Sequence, residues 1–236
     1  AGWFTSPTTW MPAAAAFERL RADIWRAVEA QHLVSTMPLV DNDPTAQAIL
    51  EDILESSKPP LPPAAAGRHW LLATPFRYRP LVQGSRFRGA GDPGVFYGAL
   101  ERPTACAEAG YWKWRFVRDS EGLPGLESHP MTVFLAGVDA ACADLRQPPW
   151  ARRKKQWAAP DDYGPTQALA RTLRQQGAQA IAYPSVRDPA GGCCVAVLDP
   201  RGLDGTIPRT ETWYLTVTRS GVSWAQEFGE RYAFRF

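Results

Sequence analysis

Several absences limit what this chain can be. No apolar run in its 236 residues approaches the roughly 18 that a membrane-spanning helix needs. No basic segment followed by an apolar run opens it, so no signal peptide is expected. Neither sign of charge is in excess: 26 Lys and Arg face 24 Asp and Glu, leaving +2. Nothing in that balance would draw the whole protein onto nucleic acid or an acidic membrane. Cysteine is scarce: Cys106, Cys142, Cys193 and Cys194, with no C-x-x-C pair. The adjacent Cys193 and Cys194 have poor geometry for a metal pair or an ordinary disulfide, so the four read as buried or partly buried thiols of a reducing cytoplasm. The three histidines, His32, His69 and His129, share no spacing, which argues against a zinc site or a Ser-His-Asp triad. There is no internal repeat.

What is present implies a real core. Hydrophobic residues make up 45% of the chain and include ten tryptophans, while 22 prolines and 19 glycines imply many turns and short elements. The length suits one large domain, or a domain with an appendage.

Periodicity divides the chain in three. Phe17, Leu20, Ile24 and Val28 share a helical face, and Asp43-Pro44 is a helix start. Ala46, Ile49, Leu50, Ile53 and Leu54 then form a stripe at i, i+3, i+4, i+7 and i+8. Residues 1–57 are therefore expected as a helical N-terminal extension whose stripes dock on the main domain, on each other or on a partner. Residues 58–67, KPPLPPAAAG, read as a stiff proline-rich linker. From 68 to 236 the pattern turns to strands, expected at 70–73, 85–88, 95–99, 132–138, 180–183, 195–198, 212–218, 222–225 and 232–236. Helices are expected after Pro103 and Pro165, the second ending at Gly177. This mixture predicts an α+β fold with a strongly bent or two-layered sheet and flanking helices.

Five residues carry the candidate chemistry. Glu108 falls inside the apolar stripe Ala105, Ala109, Trp112 and Phe116, where a carboxylate is costly unless paired. Small neighbours at 105 and 109 leave room for a ligand. Arg86, in Ser85-Arg-Phe-Arg before the turn GAGDPG, is expected on a strand face shared with Arg88; its planar fork suits a pyrophosphate. Arg77 lies in the aromatic step Phe76-Arg-Tyr. Tyr97 ends an apolar run beside Gly98, and glycine in a strand marks close approach of a ligand or of backbone. Ser185 follows Tyr183-Pro184 at a strand end, with Arg187 two residues on. The basic run Arg152–Lys155, between Trp150 and Trp157, reads as a solvated loop or helix start rather than a nucleic-acid site.

The order and spacing of these residues, TPFRYRPLVQGSRFRGAGDPGVFYGALERPTACAEAGYWKWRF over 74–116 and AIAYPSVRDP over 180–189, resemble the RES-domain family, named for its Arg, Glu and Ser. The resemblance covers roughly residues 70–236, within an expected RES domain at 68–236. Many members have Gly-Arg-Trp where this chain has Ser85-Arg86-Phe87. The family comprises bacterial toxins related to ADP-ribosyltransferases that consume NAD. The resemblance therefore implies a fold like the diphtheria-toxin class and cleavage of the nicotinamide–ribose bond without a metal. Glu108 would stabilise the oxocarbenium-like ribose. Arg77 and Arg86 would bind the pyrophosphate, and Tyr97 and Ser185 would fix the nicotinamide half. ADP-ribose would pass to phosphate, water or a protein side chain, including that of a nucleotide-biosynthesis enzyme. A cognate antitoxin covering the NAD entrance and a cytoplasmic location are also implied. Two other classes stay open: a module that binds NAD or a nucleotide without turnover, and an interaction protein acting through its N-terminus.

Overall fold

The structure, a computed structural model, describes residues 17–30, 37–78 and 84–236. Its strands are β1 (Glu18–Glu29), β2 (Phe96–Ala99), β3 (Leu126–Asp144), β4 (Ala180–Pro184), β5 (Cys193–Val197), β6 (Thr210–Thr218), β7 (Gly221–Ala225) and β8 (Arg231–Phe234). They form one sheet in the order β1-β2-β5-β4-β3-β6-β7-β8. The β3–β4 pair is parallel and the rest are antiparallel. Because β1 also pairs with β3, the pairings run from β1 through β2, β5, β4 and β3 back to β1. The sheet therefore curls on itself, as the α+β expectation of a bent sheet requires. The helices are α1 (Pro44–Ser57), α2 (Trp70–Arg77), α3 (Arg102–Asp119), α4 (Lys154–Trp157) and α5 (Gly164–Gln175).

The expected N-terminal helix is instead β1, paired along all twelve residues with β3 from Glu18↔Cys142 to Glu29↔Met131. The spacing misleads because Leu20, Ile24 and Val28 lie four apart. Four is close to a helical turn, but it is also an even number, so the same residues share one face of a strand. Both faces of β1 are in fact used. Ile24, Leu20 and Val28 join one core, while Phe17 and Trp25 pack on another. The N-terminal segment is thus part of the sheet rather than a helical appendage. Residues 1–16 and 31–36, also in the expected extension, lie outside the described residues.

α1 forms as its sequence predicts, with Asp43 accepting from the N–H groups of Thr45 and Ala46. Its expected docking stripe lies open: no α1 residue is buried, and Ile49 and Ile53 are exposed. The expected strand at 70–73 is α2, capped by His69, whose ring nitrogen accepts from Leu71 N–H at 3.2 Å. A four-residue apolar run does not by itself distinguish a buried strand from a buried helical turn. The expected strand at 85–88 is a tight turn closed by Ser85 N–H to Arg88 O at 2.7 Å and Arg88 N–H to Ser85 O at 3.1 Å. Arg86 and Arg88 therefore share no strand face. The remaining strands and α3 and α5 form where expected, α5 ending at Gly177 with φ +91°.

β4 and β5 are buried on both faces. Cys193, Val195 and Val197 meet Leu72, Phe76 and Phe96 on one side, and Cys194 and Ala196 meet Phe87, Trp157 and Leu169 on the other. A third core lies under α3, where Trp114 packs with Val133, Trp213 and Trp224. All four cysteines are free and buried. Gly98 is explained by backbone, since a Cβ there would stand 2.9 Å from Trp25 O and 2.7 Å from Ile24 Cδ1. Gly110 lets α3 sit on β7, where a Cβ would meet Val222 Cγ2 at 2.8 Å. Among the described residues no helix is long and apolar enough to cross a membrane.

Candidate active site

The start of α3 is fixed by two bonds from its first turn. The Glu101 carboxylate accepts from Cys193 N–H at 3.3 Å, and Thr104 Oγ1 donates to Asp188 at 2.7 Å. These tie the helix to β5 and to the loop that follows β4. Glu108, one turn further, is thereby held against that loop. Its Oε1 accepts from Ser185 Oγ at 2.5 Å, Val186 N–H at 3.3 Å and Cys194 Sγ at 3.7 Å. All three donors converge on one oxygen, and no described residue donates to Oε2. Ser185 is itself immobilised. Its Oγ accepts from the N–H groups of Arg187 at 3.2 Å and Asp188 at 3.0 Å, and its own N–H donates to Gly192 O at 2.7 Å.

Glu108 opens onto a cavity of about 370 Å³ walled by Trp25, Arg86, Tyr97, Trp112 and Tyr163. The expected apolar stripe of α3 is corrected here. The helix buries Thr104, Cys106, Ala107, Tyr111, Trp114 and Val117 and, of the expected stripe, Ala105, whereas Trp112 and Phe116 are exposed. Glu108 therefore borders an open cavity rather than a sealed core.

Arg86 is 9% exposed, and its guanidinium lies 5.1 Å from the Tyr163 ring centroid. Its Nη1 donates to Trp157 O at 2.8 Å and Ala159 O at 2.9 Å. It therefore both lines the cavity and braces the loop after α4. Tyr97 OH accepts from Phe87 N–H at 3.0 Å and shares a hydrogen bond with Ser85 Oγ at 2.8 Å, pinning the turn that carries Arg86. Burial raises the Tyr97 phenol pKa and holds Tyr183 well above the usual tyrosine range. Burial, then the charge of Glu108, pushes the Cys194 thiol up, so it meets the carboxylate as a neutral donor. Arg187 also lines the cavity, 3.7 Å from the Tyr111 ring centroid, with Nη2 donating to Pro160 O at 2.6 Å.

Of the five residues singled out from sequence, Arg86, Tyr97 and Glu108 line the cavity and Ser185 bonds Glu108 from behind. Arg77 is not brought there. Its Nε donates to Pro59 O at 2.6 Å and its Nη1 pairs with Glu55 at 2.5 Å, so it ties α2 to the end of α1. Trp150 and Trp157 are buried, Trp157 Nε1 donating to Trp150 O at 2.9 Å, so neither ring is available to a nucleic-acid base or a docking partner. Sequence reasoning missed Trp25 and Arg26. A helical pattern for residues 17–29 hides that β1 borders β2; period-2 alternation across the same residues was the signal that would have exposed it. Among the described residues no group of three or more His, Cys, Asp or Glu side chains is placed to hold a metal ion.

A family model of the RES domain matches residues 61–218, about two thirds of the chain. A search of curated proteins gives no match. Among solved structures, the chain is similar to one in a crystal structure of the M. tuberculosis MbcT-MbcA toxin-antitoxin complex. That similarity has a TM-score of 0.50 and 13% identity, and covers 82% of this chain and 85% of the other. At that identity it speaks for the fold.

Proposed function

Because the chain belongs to the RES-domain family, we propose that it cleaves the nicotinamide–ribose bond of NAD and acts as the toxin of a bacterial toxin–antitoxin pair. The observation that carries this reading is the Glu108 carboxylate in the wall of an aromatic cavity, fixed through Oε1 by Ser185, Val186 and Cys194, with no described residue donating to Oε2. The residues suit this substrate. A cationic nicotinamide ring meets aromatic faces and a carboxylate, and an anionic pyrophosphate meets arginines.

In this reaction the C1′–N bond breaks heterolytically and its electron pair goes to the nicotinamide ring nitrogen, which leaves neutral. The ribose carbon becomes oxocarbenium-like. Glu108 stabilises that charge or holds a ribose hydroxyl, as carboxylates do in glycoside hydrolysis. Water or phosphate then attacks C1′, water losing a proton, or a protein side chain takes the ADP-ribosyl group. Ser185 positions the carboxylate, Tyr97 holds the turn of Arg86, and Arg86 offers its remaining donors to phosphate. An antitoxin that covers the cavity mouth would inhibit in competition with NAD, in the cytoplasm where both would meet.

Mass spectrometry of products after mixing the protein with NAD, with and without phosphate, tests the proposal. Stoichiometric nicotinamide with ADP-ribose or its phosphorylated form supports it. NAD binding without any nicotinamide release would instead identify a non-catalytic nucleotide-binding module.

A further inference from the structure

Residues 158–163, between α4 and α5, include neither helix nor strand, yet they close one side of the Glu108 cavity through Tyr163. Three guanidiniums from distant elements hold this segment. Arg86, from the turn before β2, takes the carbonyls of Trp157 and Ala159 and faces the Tyr163 ring. Arg187, from the loop after β4, donates to the Pro160 carbonyl and stands 3.6 Å from Asp161 Oδ1. Arg115, from α3, reaches the same oxygen at 3.3 Å.

The Asp161 carboxylate therefore bridges the two elements that build the site: α3, which carries Glu108, and the loop that carries Ser185. Arg115 lies about two helical turns beyond Glu108. The other ties to residues 157–160 end on backbone carbonyls, which almost any sequence there would supply. Asp162 is spent locally, accepting from Gly164 N–H at 3.0 Å. Asp161 is thus the one acidic side chain of the segment that reaches across to the rest of the fold. Its side chain is 65% exposed, and an ion pair so open to water adds little to global stability. What it fixes is the position of a segment that has no ladder or helical hydrogen bonds of its own. Neither Asp161 nor Arg115 lines the cavity.

We propose that Asp161 is a positioning residue: its carboxylate, shared by Arg115 and Arg187, holds segment 158–163 closed and so sets Tyr163 and the Arg86 guanidinium in the cavity wall. This rests on the NAD reading of the Glu108 cavity. It goes further by giving an exposed carboxylate, remote from the reacting atoms, control of how well the cavity is formed.

The test uses the full chain and the variants Asp161→Ala, Asp161→Glu and Arg115→Gln. Asp161 is exposed and Arg115 keeps Asp119 at 3.4 Å, so the variants are expected to melt like the parent. Two readouts follow the segment. The first is the rate of subtilisin cleavage within residues 158–163, mapped by mass spectrometry. Asp161→Ala and Arg115→Gln are each expected to raise it about threefold or more, because an opened loop is nicked faster. Arg115→Gln leaves the segment's own sequence unchanged, so protease preference cannot account for its effect. The second readout is steady-state kinetics with NAD. The same two variants are expected to raise KM about threefold or more with kcat within about twofold, and Asp161→Glu to restore parental values. The sign is informative, because removing a negative charge would by itself favour an anionic substrate. Parental cleavage rates in both variants overturn the latch. Faster cleavage with parental KM shows a structural tie alone and overturns the positioning role. A parent that is latched by the protease criterion but releases no nicotinamide overturns the cleavage reading and supports the latch.

Discussion

Ser185 Oγ donates to Glu108 Oε1 at 2.5 Å across 77 residues of sequence, joining the loop after β4 to α3. The carboxylate is thus held through one oxygen in the cavity wall, and no described residue donates to the other. Glu108→Gln is expected to keep the fold and ligand affinity while lowering nicotinamide release by about 10²–10³-fold, the scale of removing one preorganised charge-stabilising group. Steady-state rates with purified variant and parent decide it; parental turnover would take Glu108 out of the chemistry.

Ser185→Ala tests the relay rather than the charge. Val186 N–H and the Cys194 thiol still reach Oε1, so the carboxylate stays but loses its shortest donor. Turnover is expected to fall by about tenfold, less than for Glu108→Gln, with thermal stability lowered by about 1 kcal/mol for one lost hydrogen bond. A loss equal to that of Glu108→Gln would mean that Ser185 contacts the reacting atoms itself.

Arg86→Lys changes two properties together. Lysine keeps the charge but lacks the planar guanidinium that places both Nη1 hydrogens on Trp157 O and Ala159 O while leaving other donors free. Urea denaturation is expected to show a loss of about 1–3 kcal/mol, the range for hydrogen bonds to a charged group, alongside weaker NAD binding. Unchanged stability with weaker binding would remove the bracing role.

A fragment beginning at residue 68 lacks β1, which pairs with twelve residues of β3 and places Ile24 in the core. It is expected to aggregate or remain unfolded, and to show no cooperative melting by circular dichroism. A fragment that folds and melts like the full chain would show β1 to be dispensable.

The buried thiols make stability depend on alkaline pH. Burial pushes Cys193 from an ordinary 9.0 up to about 11 and Cys142 up to about 12. Above about pH 9 the unfolded chain releases these protons while the folded chain keeps them, so stability is full below pH 9 and falls as pH rises toward the folded values. One such thiol accounts for a slope of up to about 1.4 kcal/mol per pH unit. Urea midpoints between pH 8 and 11 are expected to fall less steeply for Cys193→Ala than for the parent. Parallel curves would show that this thiol is already solvated in the fold.

Local sequence carried the elements whose signals are local. Asp43-Pro44 starts α1, Pro103 opens α3, Gly177 ends α5, and the alternation in β6 is a two-residue period that tertiary structure had only to accept. The same holds for Glu108 as a candidate, because a carboxylate in a run of small and apolar residues is visible without a fold. Its partner was not visible: Ser185 reaches it because Glu101 and Thr104 clamp α3 onto β5 and the following loop. Long-range pairing also decided residues 18–29. A four-residue spacing satisfies helix and strand alike, and only the free edge of β3 selects the strand. That choice brought Trp25 and Arg26 to the cavity. Arg77 went the other way: its sequence neighbourhood resembled a ligand site, but Glu55 and the Pro59 carbonyl, supplied by chain packing, captured its guanidinium. Patterns within a few residues follow from backbone geometry and burial, whereas which charged side chain meets which partner depends on contacts that exist only once distant segments have packed.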